Sequence, residues 1–423
     1  MTRKRSLFKL GTLAVRGAAK RLVGDRAAAD RALGEALASE LDAMKGMAMK
    51  LGQIISYMEV PFPDELQGAL ARLQTGVEGV PIDVVREVVR AHLGGELEEL
   101  FEAFEPEPIA AASIGQVHRA RVHGAPVAVK VQYPDVQGSF DEDMKRIERI
   151  ASLASLATVV DGKAIAAELG ARLHEECDYR TEARWQRTFA AAVEPLHALG
   201  VPAVVEDRTG DGVLTTAWDE GLSLSAFMES ASQGAKERAA RALASFAWHG
   251  IFVWQTLHAD PHPGNFLFSP EGEVTVLDFG CVKRFEPSFC DAWRRTLLTV
   301  IDGEGDFEQA TRDTGMVGGK RFDYGAHRAM IEWLVRPYSR ERFTFTRAYN
   351  LESLEWGKPT SSHARSMDVP APWIWFARAT FGLHSVLSRM GAEGDFRSAL
   401  LEPLRAGPAR LALLGTASLP SGV

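Results

Sequence analysis

The chain should fold as an α+β protein, with its strands gathered mainly in one middle segment and helices on either side. Residues 27–100 are dominated by alanine, leucine and glutamate and broken by Pro61, Pro63 and Pro81, which reads as helices with interruptions. From about Glu105 the texture changes. Residues 117–122 and 127–131 alternate apolar and polar positions around His123-Gly124-Ala125-Pro126, the pattern of strand, turn and strand. Residues 141–192 return to a helical pattern, and 201–216 offer further strand material around Asp211-Gly212. Residues 221–250 are helical again. Residues 266–268 and 274–277 read as short strands flanking Pro270-Glu271-Gly272, and beyond about 287 the texture is helical.

At 423 residues the chain is too long for one simple core. The order of segments suggests a small lobe packed on a larger one, with a cleft between them. The expected divisions are a basic segment at 1–26, a helical extension at 27–104, a β-rich lobe at 105–219 and a helical lobe at 220–423.

Apolar residues make up 46% and charged residues 25%, an ordinary globular balance. The net charge of −8 argues against a general nucleic-acid binder, whose phosphate partner demands a basic surface. Cys177, Cys281 and Cys290 are scattered and form neither a disulfide framework nor a zinc motif. A reducing, cytoplasmic setting is therefore expected. No secretory signal is visible, and no run of about 18 apolar residues suggests a membrane span. The nearest stretch, 242–257, contains Ser245, His249 and Gln255 and reads as a buried core helix. Residues 1–26 carry eight Lys and Arg against Asp25, with Leu7, Phe8, Leu10, Leu13 and Val15 between them. An amphipathic helix on an anionic membrane surface and a solvated basic tail fit this pattern equally well.

Chemistry concentrates in two motifs. His258-Ala-Asp-Pro-His-Pro-Gly-Asn265 holds two prolines and a glycine between Asp260 and Asn265, so it must be a fixed loop and not a helix. Thirteen residues after Asn265 comes Asp278, at the end of an apolar strand and before Phe279-Gly280. Phosphoryl transfer needs such an inventory: a carboxylate to orient the attacking hydroxyl or water, and oxygen ligands to hold magnesium against phosphates. Asp260 suits the first role, and Asn265 and Asp278 the second. Asp and Asn also cap turns, and one motif alone would leave that reading standing. Both together, in this order, displace it.

Lys130 ends the alternating run Ala128-Val129-Lys130. A lysine inside an apolar strand needs an anion, here the α/β-phosphates of a nucleotide, with Glu182 as the helix-borne counter-charge. A lone strand-edge lysine is common, but its place ahead of the two later motifs favours a nucleotide role. The loop that would cover the phosphates runs Ala110-Ala111-Ala112-Ser113-Ile114-Gly115-Gln116-Val117. Its small side chains allow close backbone approach, and with one glycine it should be stiffer than a glycine-rich loop.

On these residues the chain resembles the UbiB/ADCK (AarF-type) atypical protein-kinase-like family, associated with coenzyme Q biosynthesis. Lys50-Leu-Gly52-Gln53 matches the family's KxGQ motif. Ala110 to His118 matches its alanine-rich loop. Glu176-Cys-Asp178 matches its ExD motif, followed by Glu182. HADPHPGNF and LDFG match its nucleotide and metal loops. The likeness covers roughly residues 40–285.

The resemblance implies a bilobal protein-kinase-like fold with an N-terminal helical extension, ATP and Mg2+ as cofactors, and a KxGQ helix folded over the cleft. Lys50 and Gln53 share one helix face. The resemblance implies that Lys50 pairs with Glu176 or Asp178, which disfavours protein substrates and leaves ATP binding and hydrolysis. It also implies a lipid or quinone-precursor ligand and peripheral contact with the inner face of a membrane, for which the basic N-terminus and Ile54, Ile55 and Met58 are candidates. Two rivals stand beside it. The HADPHPGN loop is similar to that of small-molecule phosphotransferases, though the alanine-rich loop and KxGQ argue against that class. A nucleotide-gated lipid-binding chaperone with little catalysis is the other, against which Lys130, Asp260, Asn265 and Asp278 are all retained.

Overall fold

The computed structural model describes residues 79–111, 114–134, 177–357, 362–409 and 411. The chain divides into two compact units. Among the described residues, the first holds 79–111, 114–124, 129–134, 177 and 211–213, and the second holds 125–128, 178–210 and 214 onward.

In the first unit, helix α1 (Ile82–Leu93) buries Val85, Val88 and Val89 and ends on Gly94 at φ 75°, a left-handed cap that glycine adopts without strain. A short α2 (Leu97–Leu100) follows. Strands β1 (Ala103–Phe104) and β2 (Ala110–Ala111) both pair antiparallel with β3 (Gly115–Val122). β3 leads into β4 (Ala125–Gln132) through a turn tighter than the expected four residues. His123 and Gly124 sit at φ 52° and 74°, the positive pair of a two-residue hairpin turn whose twist matches the strands. Along β4, Val127, Val129 and Val131 are buried and alternate with half-buried Lys130.

In the second unit, α3 (Tyr179–Val193) buries Trp185 and Phe189. Residues 201–216 were expected to be strand material, and most are not. After β5 (Leu199–Gly200) the chain makes a 3-10 turn at Glu206–Arg208, and regular strand appears only in β6 (Val213–Ala217). The expected pairing survives only as an isolated antiparallel bridge, Val204 with Thr216, and side chains hold the turn beside it: Thr215 Oγ1 donates to the Arg208 carbonyl (2.6 Å), and Thr209 Oγ1 accepts from Thr215 N (3.2 Å). Such local bonds compete with sheet pairing.

The helical span expected at 221–250 is two helices, α4 (Leu224–Ser230) and α5 (Gln233–Phe252). Ser232 starts the second by accepting from Ala235 N. Helix α5 is the buried core helix expected over 242–257, but it stops at Phe252, and Thr256 and Leu257 enter a strand instead. After it come β7 (Thr256–His258), β8 (Phe266–Phe268), β9 (Val274–Val276) and β10 (Val282–Arg284). β8 and β9 form a hairpin across residues 269–273, and β5 joins β9 in parallel.

The rest is mainly helical, as expected: α6 (Pro287–Ile301), α7 (Phe307–Asp313), α8 (Tyr324–Val335), α9 (Arg347–Gly357), α10 (Ser362–Ser366), α11 (Ala371–Arg389) and α12 (Arg397–Arg405). A two-residue strand pair, β11 (Phe343–Thr344) with β12 (Glu393–Gly394), interrupts them. The core of this unit is aromatic. Trp293 stacks on Trp373 at 4.6 Å and on Phe376 at 4.7 Å, and Trp248 and Trp333 are wholly buried. Among the described residues no helix is long and apolar enough to cross a membrane.

Candidate active site

The two motifs meet because β7 and β10 pair. α5 ends at Phe252, and Gln255 at φ 51° turns the chain into β7. β7 is buried at every residue and runs antiparallel to β10, with His258 opposite Val282. Ala259 N then donates to the Cys281 carbonyl (2.9 Å). His258 Nε2 donates to the Asp278 carbonyl (2.8 Å), since a carbonyl can only accept. This strand pair was not expected from the sequence. Three fully buried residues show no alternation to read.

Beyond Ala259 the loop is irregular, as its prolines require. His262 N donates to the Asp260 carbonyl (2.7 Å), and Asn265 N to the His262 carbonyl (2.9 Å). His262 Nδ1 accepts from Gly264 N (3.0 Å). A Cβ on Gly264 would lie 2.9 Å from that nitrogen, so any larger residue there would have to push the His262 ring aside. Leu277 N donates to the Asn265 carbonyl (2.8 Å), which ties the first motif to the second.

Three predicted site residues are thereby brought together. Asn265 Nδ2 donates to Asp260 Oδ2 (3.1 Å) and to the Asp260 carbonyl (3.0 Å). Asp278 stands at φ 54°, an uncommon conformation for a residue with a side chain, and one that gathers at functional sites. Its Oδ1 accepts from Gly280 N (3.1 Å). The donor chemistry fits magnesium. The Asn265 amide spends its hydrogens on Asp260, which leaves its oxygen available to a cation, and Asp278 supplies a carboxylate. Magnesium commonly takes one or two protein oxygens and completes its shell with waters and phosphate oxygens.

Sequence reasoning missed Arg378. From α11 its Nη2 donates to Asp260 Oδ1 at 2.7 Å, and its Nε donates to the Ala259 carbonyl at 3.0 Å. The arginine and aspartate side chains are 13% and 16% exposed. An arginine 118 residues downstream belongs to no local pattern that could have signalled it.

The other predicted residues fall in several places. Glu182 is buried in the first turn of α3. Asp178 is exposed and caps that helix, accepting from Thr181 N (3.0 Å) and Thr181 Oγ1 (2.6 Å). In the first unit, Lys130 is half-buried on β4. Ala111 is exposed on β2 opposite Gln116, Ile114 and Gly115 are buried, and Val117 pairs with Ala110. The Gln116 side chain is wholly buried. Its Oε1 accepts from Val80 N (2.7 Å), and its Nε2 donates to the Val80 carbonyl (3.1 Å) and to His118 Nε2 (2.8 Å). Its amide is thus committed inside the protein, and any nucleotide contact at this position falls to the backbone. His118 Nδ1 donates to the Glu105 carbonyl (2.8 Å), which fixes the tautomer. Burial lowers the His118 pKa despite that bond. Lys50, Gln53, Ala112, Ser113 and Glu176, and Ile54, Ile55 and Met58 with the basic segment 1–26, lie outside the described residues.

Comparison with known proteins gives this arrangement a family. Residues 72–311, more than half of the chain, match the ABC1 atypical kinase-like domain. Over 283 residues the chain is 31% identical to the atypical kinase COQ8, mitochondrial, of Saccharomyces cerevisiae, covering 65% of this chain and 56% of that protein. Over 267 residues it is 32% identical to the protein ACTIVITY OF BC1 COMPLEX KINASE 8, chloroplastic, of Arabidopsis thaliana, covering 61% of this chain and 35% of that one. The aligned part thus spans about a third to just over half of these relatives' length. Among solved structures, Rv3197 of Mycobacterium tuberculosis, determined in complex with erythromycin, shares the fold with a TM-score of 0.65 at 30% identity. The match covers 86% of this chain and 93% of that one.

Proposed function

Because the chain belongs to the ABC1 atypical kinase-like family, the group that includes the COQ8 kinases, we propose that it binds ATP with magnesium and turns it over slowly, in support of isoprenoid-quinone or other lipid metabolism. The observation that carries this reading is the coupling of Asp260, Asn265 and Asp278. One amide spends both hydrogens on Asp260, and one backbone bond ties the loops together. Positions that must act on the same phosphate are therefore held in register.

In this reading Asp260 orients the attacking water or hydroxyl. Asn265 and Asp278 hold magnesium, whose charge would offset that of the phosphates. Lys130 contacts the α/β-phosphates, with Glu182 as its counter-charge, and the backbone of residues 111–117 lies over the phosphates. Lys50 and Gln53 on the KxGQ segment, with Glu176 and Asp178, exclude protein substrates. The acceptor is then water or a lipid-like molecule. Membrane contact, through residues 1–26, is peripheral.

A thermal-shift titration with Mg-ATP tests the core of this, because a ligand that binds only the folded state raises its melting point. Stabilisation is expected in wild type. Its absence there sinks the proposal. Phosphate release with and without anionic liposomes then separates a membrane-responsive ATPase from an inert nucleotide binder.

A further inference from the structure

We infer that Arg378 is a positioning residue for Asp260, and that helix α11 serves the catalytic loop as well as the core. The inference rests on the reading of Asp260 given above and names a residue that reading does not contain. The guanidinium grips two successive residues at once: Nε donates to the Ala259 carbonyl and Nη2 to Asp260 Oδ1. A planar fork that fixes backbone and carboxylate together sets the aspartate's rotamer relative to its own chain. Asn265 holds the other oxygen, so the carboxylate is anchored at both ends.

Stability alone is a poor reason for such a pair. Desolvating two charges costs about what their attraction returns, and apolar residues would join the helix to the loop as well. What the ion pair adds is geometry. A second contact on the same helix face agrees. Gly382 lies four residues on from Arg378, hence above it on α11. A Cβ there would sit 2.5 Å from Pro261 Cγ. Arg378 thus meets Ala259 and Asp260, and Gly382 admits Pro261. Ala379 and Leu383 of the same helix line a small cavity with His258 and Pro261, so the loop rests on α11 along its first turn.

The test uses the full chain and two readouts, Mg-ATP-dependent phosphate release and the Mg-ATP thermal-shift titration. Arg378→Met should lower kcat about 10- to 100-fold, the usual effect of removing a group that orients an active residue. Nucleotide affinity should change by no more than about threefold. Arg378→Lys should recover part of the rate, because an ammonium can reach Oδ1 but has no fixed second arm for the Ala259 carbonyl. In a double-mutant cycle, Arg378→Met added to Asp260→Asn should cost almost nothing further, since the arginine acts through that carboxylate. Gly382→Ala keeps every charge, displaces Pro261 and should reproduce the kcat loss, which covers the case in which Arg378→Met does not fold.

Unchanged turnover in Arg378→Met, or in Gly382→Ala, overturns the inference. So does a loss that multiplies fully with Asp260→Asn, or one matched by lost nucleotide affinity. A wild-type protein that binds Mg-ATP but releases no phosphate overturns the reading of Asp260 itself, and the role of Arg378 with it.

Discussion

Gln116 in the first unit and Asn265 in the second carry the same functional group, and hydrogen bonds hold each of them. They differ in what is left over. The Gln116 amide is wholly buried, and both its oxygen and its nitrogen are taken up by Val80 and His118. Asn265 is half-buried and gives its amide hydrogens to Asp260 alone. Among the described residues nothing donates to its side-chain oxygen. A satisfied, sealed amide is structure. A partly satisfied one, oriented by a carboxylate and open to solvent, can take a ligand. The motifs beside the two residues gave both the look of ligand groups, and only their partners separate them.

Substitutions at the open site should give the largest effect. Asp278→Asn removes a carboxylate and should abolish the Mg-ATP thermal shift, which is worth about 2.7 kcal/mol of stability at a hundredfold excess over Kd. A shift equal to that of wild type would place the cation elsewhere. At the sealed site the loss should be one of stability instead. Gln116→Leu strands the Val80 N–H and carbonyl and one nitrogen of His118, at roughly 1–3 kcal/mol for each orphaned group. Chemical denaturation should show a lowered midpoint, while turnover per folded molecule stays near wild type. Lost turnover in a folded Gln116→Leu would give its side chain a direct part in the site.

Acidification extends the contrast to buried imidazoles. Burial holds His384 and His327 down to about 3, from an ordinary value of 6.5, and lowers His118 as well. Above about 6.5 each imidazole is neutral in both states and costs nothing. As pH falls toward 3, the unfolded chain takes up protons that the folded protein refuses, so stability should decline across that window. His384 sits in a complete network, with Tyr338 Oη at 3.1 Å from Nε2 and Tyr349 Oη at 3.2 Å from Nδ1. The Tyr349 hydroxyl donates to the Trp333 carbonyl (3.0 Å), so His384 Nδ1 carries the hydrogen. Among the described residues, His327 has no hydrogen-bond partner for either nitrogen. His327→Phe should therefore flatten the acid decline without loss at neutral pH, whereas His384→Phe should cost stability at every pH. Melting temperatures across pH 4–8 (about the range in which most carboxylate and imidazole titration falls) check both.

The smallest effect belongs to Asp178. Asparagine caps helices as well as aspartate does. Asp178→Asn should thus leave stability within about 0.5 kcal/mol, whereas Asp178→Ala should lose about 1 kcal/mol. A change in ATP turnover in Asp178→Asn would show that its charge does more than start α3.

By itself the sequence determined what depends on neighbours a few residues apart. The β3–β4 hairpin (though not its two-residue turn), the β8–β9 hairpin, the irregular Asp260–Asn265 loop and the buried character of α5 all follow from residue types at short, fixed offsets. Proline, glycine and alternating valines restrict the backbone wherever they occur. Tertiary structure alone decided whatever joins distant segments. It paired β7 with β10, dissolved most of the strand expected at 201–216, sealed Gln116 against Val80 and brought Arg378 to Asp260. The physical reason is the same each time. A donor's partner is chosen by what packing brings within about 3 Å, and packing is a property of the whole chain that no local window contains.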